Sequence, residues 1–330
     1  MRILPLFIPH AGCLNSCVFC NQYSTSAVVK TPSFTEIKAL IDSGLQYGPL
    51  DEVAFYGGSF TALEEQEIKD FLAIVQPYIS AGDVGGVRVS TRPDAVDVNI
   101  VEILKEFGVT TVELGCQSFS DRVLECSGRG HVAEDSINTA VLLREGGFRF
   151  GIQLMPGLPG GDRQEALHSL DVALTLAPDF LRIYPTVVLA GTLLAEMWQR
   201  GEYTPLCLEP AVELCAEMDL ICRAANVPVI RYGLQENDAL ATGSLLAGPY
   251  HPAFGQLVRS RVWRHKLSLL KDQAVSTVAV NPADYSDAIG HKRDNLEYLC
   301  ADDVLFTVRQ DPFVRKGYVA ANTSVKALYE

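Results

Sequence analysis

The sequence lacks any apolar run near the roughly 18 consecutive residues that a membrane-spanning helix needs. Its opening segment, residues 2–9, contains two prolines and no small-residue cleavage site, which argues against a signal peptide. Basic residues are scarce as well, with 27 Lys and Arg against 40 Asp and Glu and a net charge of -13. Proteins that bind a phosphate backbone normally carry a basic excess, so nucleic acid is not favoured as a partner, although a local basic patch is not excluded. We therefore expect a cytoplasmic protein with no membrane partner.

What the sequence does contain is enough apolar material for a large core. Hydrophobic residues make up 48% of the 330 residues, which is sufficient for two domains or for one domain with an appendage. The nine cysteines are odd in number and follow no export signal. In that setting a group of cysteines indicates a metal or redox site rather than a set of disulfides.

Short apolar runs alternate with helical patterns over the first 185 residues. We predict strands at residues 3–8, 53–56, 87–90, 111–115, 148–155 and 180–184. The periodicity predicts helices between them at residues 34–45, 62–79, 94–107, 133–144 and 164–176. Such alternation indicates right-handed βαβ units and a parallel sheet, either doubly wound or part of a (β/α) barrel.

The alternation stops after residue 184. We predict a short helix after 191–192, a helix from 210 to about 225, a possible seventh strand at 227–230 and a mostly loop segment at 233–252. A helix at 254–270 and two weak strands at 275–280 and 304–308 complete the chain. No flexible linker is evident, so residues 1–200 are expected to form a barrel-like domain and residues 201–330 an extension packed on it.

Three cysteines lie close together directly after the first predicted strand. Cys13, Cys17 and Cys20 have the spacing CxxxCxxC, so they can converge on one centre without other parts of the fold. An electron-transfer iron–sulfur cubane uses four thiolates, and a cubane held by three keeps one iron open for a small ligand. A zinc site completed by His10 is an alternative. Buried cysteines that act as small apolar residues are a second alternative, which the tight spacing disfavours.

Several motifs resemble the radical S-adenosylmethionine (SAM) superfamily. The cysteine triplet has Phe19 before its last member, and Gly57 and Gly58 follow the second predicted strand. Segments 112–119, 127–131 and 153–160 resemble oxygen-independent coproporphyrinogen oxidases and the catalytic subunit of Elongator. Segments 91–94, 182–186, 189–192 and 201–205 resemble the Elongator branch specifically. The resemblance covers about residues 3–230, and we expect the remainder to be too short for the acetyltransferase domain of Elongator.

The resemblance implies a fold, two cofactors and a set of site residues. The fold is a partial (β/α)6 TIM-like barrel with a C-terminal α+β extension. Cys13, Cys17 and Cys20 would hold a [4Fe–4S] cluster, and SAM would bind at the carboxyl ends of the strands, where parallel barrels build their sites. The residues that the resemblance assigns to cofactor binding are Phe19, Gly57, Gly58, Ser59, Gln117, Arg129 and Gln153.

Individual roles follow from the same resemblance. Arg129 would meet the SAM carboxylate with its planar fork, and Gln117 and Gln153 would meet the ribose. The candidate substrate residues are Arg92, Tyr184, Tyr203, Tyr250 and His251. Ordinary structural roles stay open: Gln117 as a helix cap, Arg129 as a surface charge, Arg92 paired with Asp94, and the tyrosines as core residues.

The implied function is that of a radical SAM enzyme. Such an enzyme reductively cleaves SAM to a 5′-deoxyadenosyl radical, which abstracts hydrogen from a substrate that the sequence does not identify. A low-potential donor such as flavodoxin or ferredoxin is the expected partner. The alternatives are a haem chaperone-like protein, a tRNA-modifying radical SAM protein, and a zinc-stabilised binding module.

Overall fold

The computed structural model describes residues 1–13, 17–26, 28, 30–235, 243–271, 275–300 and 306–321. They form two compact units, the first made of residues 1–207 and 224–250 and the second of residues 208–223 and 251–330. The domain boundary predicted at residue 200 remains a prediction. Grouping by compactness places residues 201–207 and 224–250 in the first unit.

A seven-stranded parallel sheet, curled into a half-barrel, is the centre of the first unit. Its order is β1-β2-β3-β4-β5-β6-β8, so each strand lies beside its neighbour in the chain except where β7 intervenes. The strands are β1 (Ile3–Ile8), β2 (Glu52–Gly57), β3 (Val87–Thr91), β4 (Val109–Gln117), β5 (Arg149–Leu154), β6 (Phe180–Ile183) and β8 (Val229–Tyr232). The predicted partial barrel is confirmed, with β8 as a seventh strand. A short antiparallel pair, β7 (Val188–Leu189) and β9 (Leu245–Ala247), lies outside this sheet, and β9 falls within the segment 233–252 that was predicted to be mostly loop.

Helices connect the strands of the first unit. They are α1 (Gln22–Ser26), α2 (Phe34–Leu45), α3 (Glu65–Ala81), α4 (Val98–Glu106), α5 (Asp121–Cys126), α6 (Ala133–Glu145), α7 (Arg163–Thr175) and α8 (Leu193–Gln199). Side-chain caps fix several of their starts: Ser33 forms a capping box with Glu36, and Asp162 accepts a hydrogen bond from the Glu165 backbone amide. The short helices α1 and α5 carry too few periodic residues for the sequence to reveal them.

The second unit combines helices with a small mixed sheet. It contains α9 (Leu208–Ala224, whose last residue is grouped with the first unit), α10 (Phe254–Lys271), β10 (Thr277–Val280), α11 (Tyr285–Ile289), α12 (Asp294–Leu299), β11 (Thr307–Gln310) and β12 (Val319–Ala321). Strand β10 pairs parallel with β11 and antiparallel with β12. Trp263, Leu267, Val280 and Phe306 are among its core residues. Among the helices of the described residues, none is both long and apolar enough to cross a membrane.

Removing the cap of α7 tests how the sequence starts this helix. Asp162→Ala leaves the Glu165 amide without its side-chain acceptor and is expected to lower the free energy of unfolding by about 1 kcal/mol. Chemical denaturation measures the change. Asp171→Ala, an exposed position on the same helix, is the matched control, and equal losses in both variants would contradict the capping role.

Candidate functional site

A cavity of about 920 Å³ lies inside the curled sheet and at the carboxyl ends of its strands. All of its lining residues belong to the first unit. Of the residues assigned by resemblance, those that line it are Cys13, Cys17, Cys20, Phe19, Gly57, Gly58, Ser59, Arg92, Gln117, Arg129, Gln153 and Tyr184. The topology therefore brings together residues from β1 through β6, because parallel strands end at one edge of the sheet.

The cysteine loop places three free thiols on the wall of this cavity. Backbone hydrogen bonds tighten the loop from Cys13 to the His10 carbonyl (3.1 Å) and from Cys20 to the Cys17 carbonyl (3.1 Å). Burial, together with the neighbouring thiols, raises the pKa of Cys20 to about 12 and also raises the pKa of Cys13. Three thiolates in one place thus require a positive centre to balance them, as an iron–sulfur cluster does.

Main-chain contacts bind this loop to the turn after β2. The Ser59 amide donates to the Ala11 carbonyl (2.7 Å), and the Gly58 amide donates to the Ile8 carbonyl (3.0 Å). A Cβ atom on Gly58 would lie 2.0 Å from the Ala11 oxygen, so only glycine allows this approach. The glycine pair therefore seats the cysteine loop, whatever contact it also makes with a ligand.

His10 is not arranged as a fourth metal ligand. Its Nε2 atom accepts a hydrogen bond from the Gln22 amide (3.1 Å), and its ring contacts that of Tyr23. Across the described part of the chain, no three His, Cys, Asp or Glu side chains are grouped to hold a single ion. The donor set fits a cluster, which is larger than one ion, better than zinc bound by three cysteines and His10.

Arg129 is buried beside the cysteines rather than placed on the surface. Its Nη1 atom lies 3.2 Å from the Cys17 sulfur, and its Nη2 atom donates to the Gly115 carbonyl (2.5 Å). A guanidinium at this position gives the cavity wall beside the cysteines a positive charge. Binding of the SAM carboxylate by Arg129 stays a prediction that this position favours.

Gln117 and Gln153 meet across neighbouring strands. The Gln153 amide group donates to the Gln117 side-chain oxygen (3.0 Å). Gln117 has a left-handed backbone with φ of 70°, at an irregularity in the pairing of β4 with β5. That conformation is uncommon for a residue other than glycine and costs energy, which is typical of a functional position. Gln117 lies in the cavity wall and its side chain is not a helix cap.

The candidate substrate residues separate into two groups. Arg92 lines the cavity, but its Nε and Nη2 atoms donate to the two carboxylate oxygens of Asp94 (2.8 and 2.7 Å), so the structural pairing considered above is present. Tyr184 also lines the cavity. The other candidates, Tyr203, Tyr250 and His251, are not among the lining residues.

Tyr203, Tyr250 and His251 have other surroundings. The Tyr203 hydroxyl donates to the Gly157 carbonyl (2.7 Å) inside an apolar cluster, as a core tyrosine does. Tyr250 packs against the cluster of Val187 and Leu189. His251 belongs to the second unit, where its ring contacts that of His291 at 5.4 Å.

An ion network inside the sheet was not anticipated as part of the site. Glu113 lies 2.7 Å from both Arg88 and Arg182, and Arg88 also pairs with Glu52 (2.6 Å). The Tyr56 hydroxyl donates to Glu113 (3.1 Å), and burial with this carboxylate raises the pKa of Tyr56. Two arginines and two glutamates balance in charge, which buried ions require. Charged residues in the middle of predicted strands are the sequence signal for such a network.

These features define a class of protein. A parallel half-barrel that carries a three-cysteine loop after its first strand, with a glycine pair after the second, is the architecture of radical SAM enzymes. The family model of the Radical SAM superfamily matches residues 7–173, and that of the Radical SAM C-terminal domain matches residues 178–264. The chain belongs to the Radical SAM superfamily, whose members are enzymes that use a [4Fe–4S] cluster and SAM.

Two relatives of known name are similar to parts of this chain. A tRNA uridine(34) acetyltransferase of Methanocaldococcus jannaschii is 38% identical over 129 residues, which are 38% of this chain and 24% of the relative. The haem chaperone HemW of Bacillus subtilis is 31% identical over 147 residues, or 44% of this chain and 39% of the relative. The chain thus spans only about a quarter of the acetyltransferase and two fifths of the haem chaperone.

A solved structure confirms the fold. Elp3 of Methanocaldococcus infernus, solved with an N-terminal deletion, superposes with a TM-score of 0.64 at 24% identity, covering 81% of this chain and 63% of that one. Coproporphyrinogen III oxidase (HemN) of Escherichia coli superposes with a TM-score of 0.51 at 16% identity, covering 68% and 53%. At these identities the likeness establishes the half-barrel alone.

A methyl group at Gly58 tests the seating of the cysteine loop. Gly58→Ala forces the turn and the loop apart, because the added Cβ overlaps the Ala11 carbonyl. We expect less than half of the wild-type iron and sulfide after anaerobic cluster reconstitution. Gly44→Ala, whose Cβ would meet only leucine side chains at 3.6 Å or more, is the control. Full iron loading of Gly58→Ala would show that the contact is dispensable.

Proposed function

We propose that this protein reductively cleaves SAM and uses the resulting 5′-deoxyadenosyl radical to abstract hydrogen from a substrate. The observation that carries the proposal is the shared cavity, in which three free thiols lie on the same wall as Arg129 and the paired glutamines. When bound, a reduced [4Fe–4S] cluster supplies the electron that breaks the bond between the SAM sulfur and C5′.

Cys13, Cys17 and Cys20 would hold the cluster, and their fit is chemical as well as geometric. The thiols are half-buried, the loop is held by main-chain hydrogen bonds, and the Arg129 guanidinium lies beside Cys17. Hydrogen bonds at the described residues around the cysteines reduce the entropy that is lost when a cluster binds. Phe19 in the same wall contributes apolar surface that limits access of water.

We assign the orientation of SAM to Arg129, which lies beside Cys17, and to other polar residues of the cavity lining. The planar fork of Arg129 suits a carboxylate, and the Gln117–Gln153 pair offers amide groups of both polarities to ribose hydroxyls. Gly57, with φ of 104°, and Ser59 line the cavity at the end of β2, and we assign the contact with the SAM amino group to this rim. We assign these roles as part of the proposal.

An external donor must supply the electron. Radical SAM enzymes need a reductant, and we propose a flavodoxin or ferredoxin for this chain. The substrate is not carried over from the named relatives, because the chain covers less than half of each of those two proteins. Arg92 and Tyr184 stay candidate substrate residues because both line the cavity.

Loss of one cluster thiol tests the proposal directly. Cys20→Ala is expected to bind less iron and to release no detectable 5′-deoxyadenosine from SAM and dithionite under anaerobic conditions, whereas wild-type protein releases it. Chromatography of the quenched reaction quantifies the product. Cys126→Ala, at an exposed cysteine, is the control and keeps wild-type release. A wild-type protein with a full cluster and no 5′-deoxyadenosine would refute the proposal.

A conservative change at Arg129 tests the assigned carboxylate contact. Arg129→Lys keeps the charge but loses the fork that reaches both Cys17 and Gly115, so the Kd for SAM is expected to rise about tenfold. Anaerobic equilibrium dialysis of the cluster-loaded protein measures it. Arg122→Lys, at an exposed arginine, serves as the control. An unchanged Kd in Arg129→Lys would remove Arg129 from the SAM site.

A further inference from the structure

One cation in the cavity has no role in the function described so far. Arg231 lies on β8, the edge strand of the sheet farthest along the strand order from β1, and it lines the cavity. Its Cα is the register partner of Arg182 on β6, so both side chains lie on the inner face of the sheet. Arg231 is partly buried.

The two neighbouring arginines differ in their partners. Arg182 uses its guanidinium on Glu113 (2.7 Å) and on the Tyr56 and Tyr184 hydroxyls (3.1 Å each). Arg231 forms no ion pair or hydrogen bond through its side chain with any residue that the structure describes. Among the lining residues that the structure describes, Glu113 is the one carboxylate, and Arg88 and Arg182 already neutralise it.

An arginine without an acidic partner in a cavity is unexpected in this chain. Acidic residues outnumber basic ones by 13, so an acidic partner would be easy to supply. Partial burial of an unpaired charge costs free energy, which a ligand of opposite charge recovers. Because no described residue occupies the planar fork of donors on Arg231, an oxyanion is the ligand group that it suits.

The wall around Arg231 is apolar. The cavity lining includes Ile230, which precedes Arg231, and Leu234, three residues after it. Val187 and Leu189 also line the cavity. Leu234 packs directly against the cluster formed by Val187 and Leu189. A ligand held by Arg231 would therefore place an apolar body along this wall.

We propose that Arg231 binds an oxyanion of the substrate, a carboxylate or phosphate group attached to an apolar body. The assignment of the bound molecule as a substrate rests on the proposed function above, whereas the anion-binding site itself does not. Arg129 and Arg231 would thus serve different anions, the first on the SAM side of the cavity and the second on β8. Arg231 is a specificity-determining residue in this account.

Simple probes test this site without knowledge of the substrate. Binding of 3-phenylpropionate, phenyl phosphate and the neutral 3-phenylpropionamide is measured by ligand-observed NMR on full-length, cluster-loaded protein with saturating SAM and no reductant. At least one anion is expected to bind about tenfold more tightly than the amide, since a charge-assisted contact is worth that much. The tighter anion identifies the oxyanion as carboxylate or phosphate.

Variants assign the preference to Arg231. Arg231→Gln should bind anion and amide equally, and Arg231→Lys should retain part of the preference, which also guards against a folding defect. Arg149 is exposed at the amino end of β5, away from the cavity at the carboxyl ends of the strands, so Arg149→Gln should behave as wild type. Equal binding of anion and amide by wild-type protein, or an unchanged preference in Arg231→Gln, would overturn the inference. Anion binding that is seen only when SAM is omitted from the same titration would overturn it as well, since Arg231 would then serve the cofactor.

The two proposals can fail separately. If wild-type protein prefers the anions but releases no 5′-deoxyadenosine, the anion site stands and the radical function is wrong. If it releases 5′-deoxyadenosine but shows no anion preference, the radical function stands and the role of Arg231 is wrong.

Discussion

The site depends on a main-chain contact between two loops. The hydrogen bond from the Ser59 amide to the Ala11 carbonyl fixes the cysteine loop against the end of β2. It can form only because Gly58 has no side chain. On its other side the loop is held by the Val18 amide, which donates to the Ser127 carbonyl (3.0 Å). These contacts at described residues on both sides of the loop restrain the cysteines before any cluster binds, which reduces the entropic cost of binding.

The charge distribution inside the sheet follows a second constraint. Buried ions are tolerated when they are paired, and the Glu52–Arg88–Glu113–Arg182 network meets that condition under the cavity. Because this network has no net charge, positive charge at the rim of the cavity comes from other arginines. An anionic cofactor group and an anionic substrate group would then occupy separate positions in one cavity, which would bring the two reactants together in a defined orientation.

Much of the fold could be predicted because its signals are local. Short apolar runs revealed the six consecutive strands, and a 3.6-residue periodicity revealed the long helices. The parallel order then predicted which residues share an edge. Contacts between distant residues could not be predicted from local patterns. Two examples are the contact of Arg129 with Cys17 and the close approach of Gly58 to the Ala11 carbonyl. Tyr203 and Arg231 show the same limit, since only the folded chain reveals which side chain already has a partner. The candidate cofactors were predicted from family motifs, because the periodicity of apolar residues carries no information about cofactors.

If three protein thiolates hold the cluster, one of its irons should remain open to SAM. Electron–nuclear double resonance on the reduced, cluster-loaded protein tests this, with SAM that carries ¹⁵N in its amino group and ¹⁷O in its carboxylate. We expect hyperfine coupling of both labels to the cluster, lost when unlabelled SAM is substituted. A fully loaded cluster that shows coupling to neither label would contradict it.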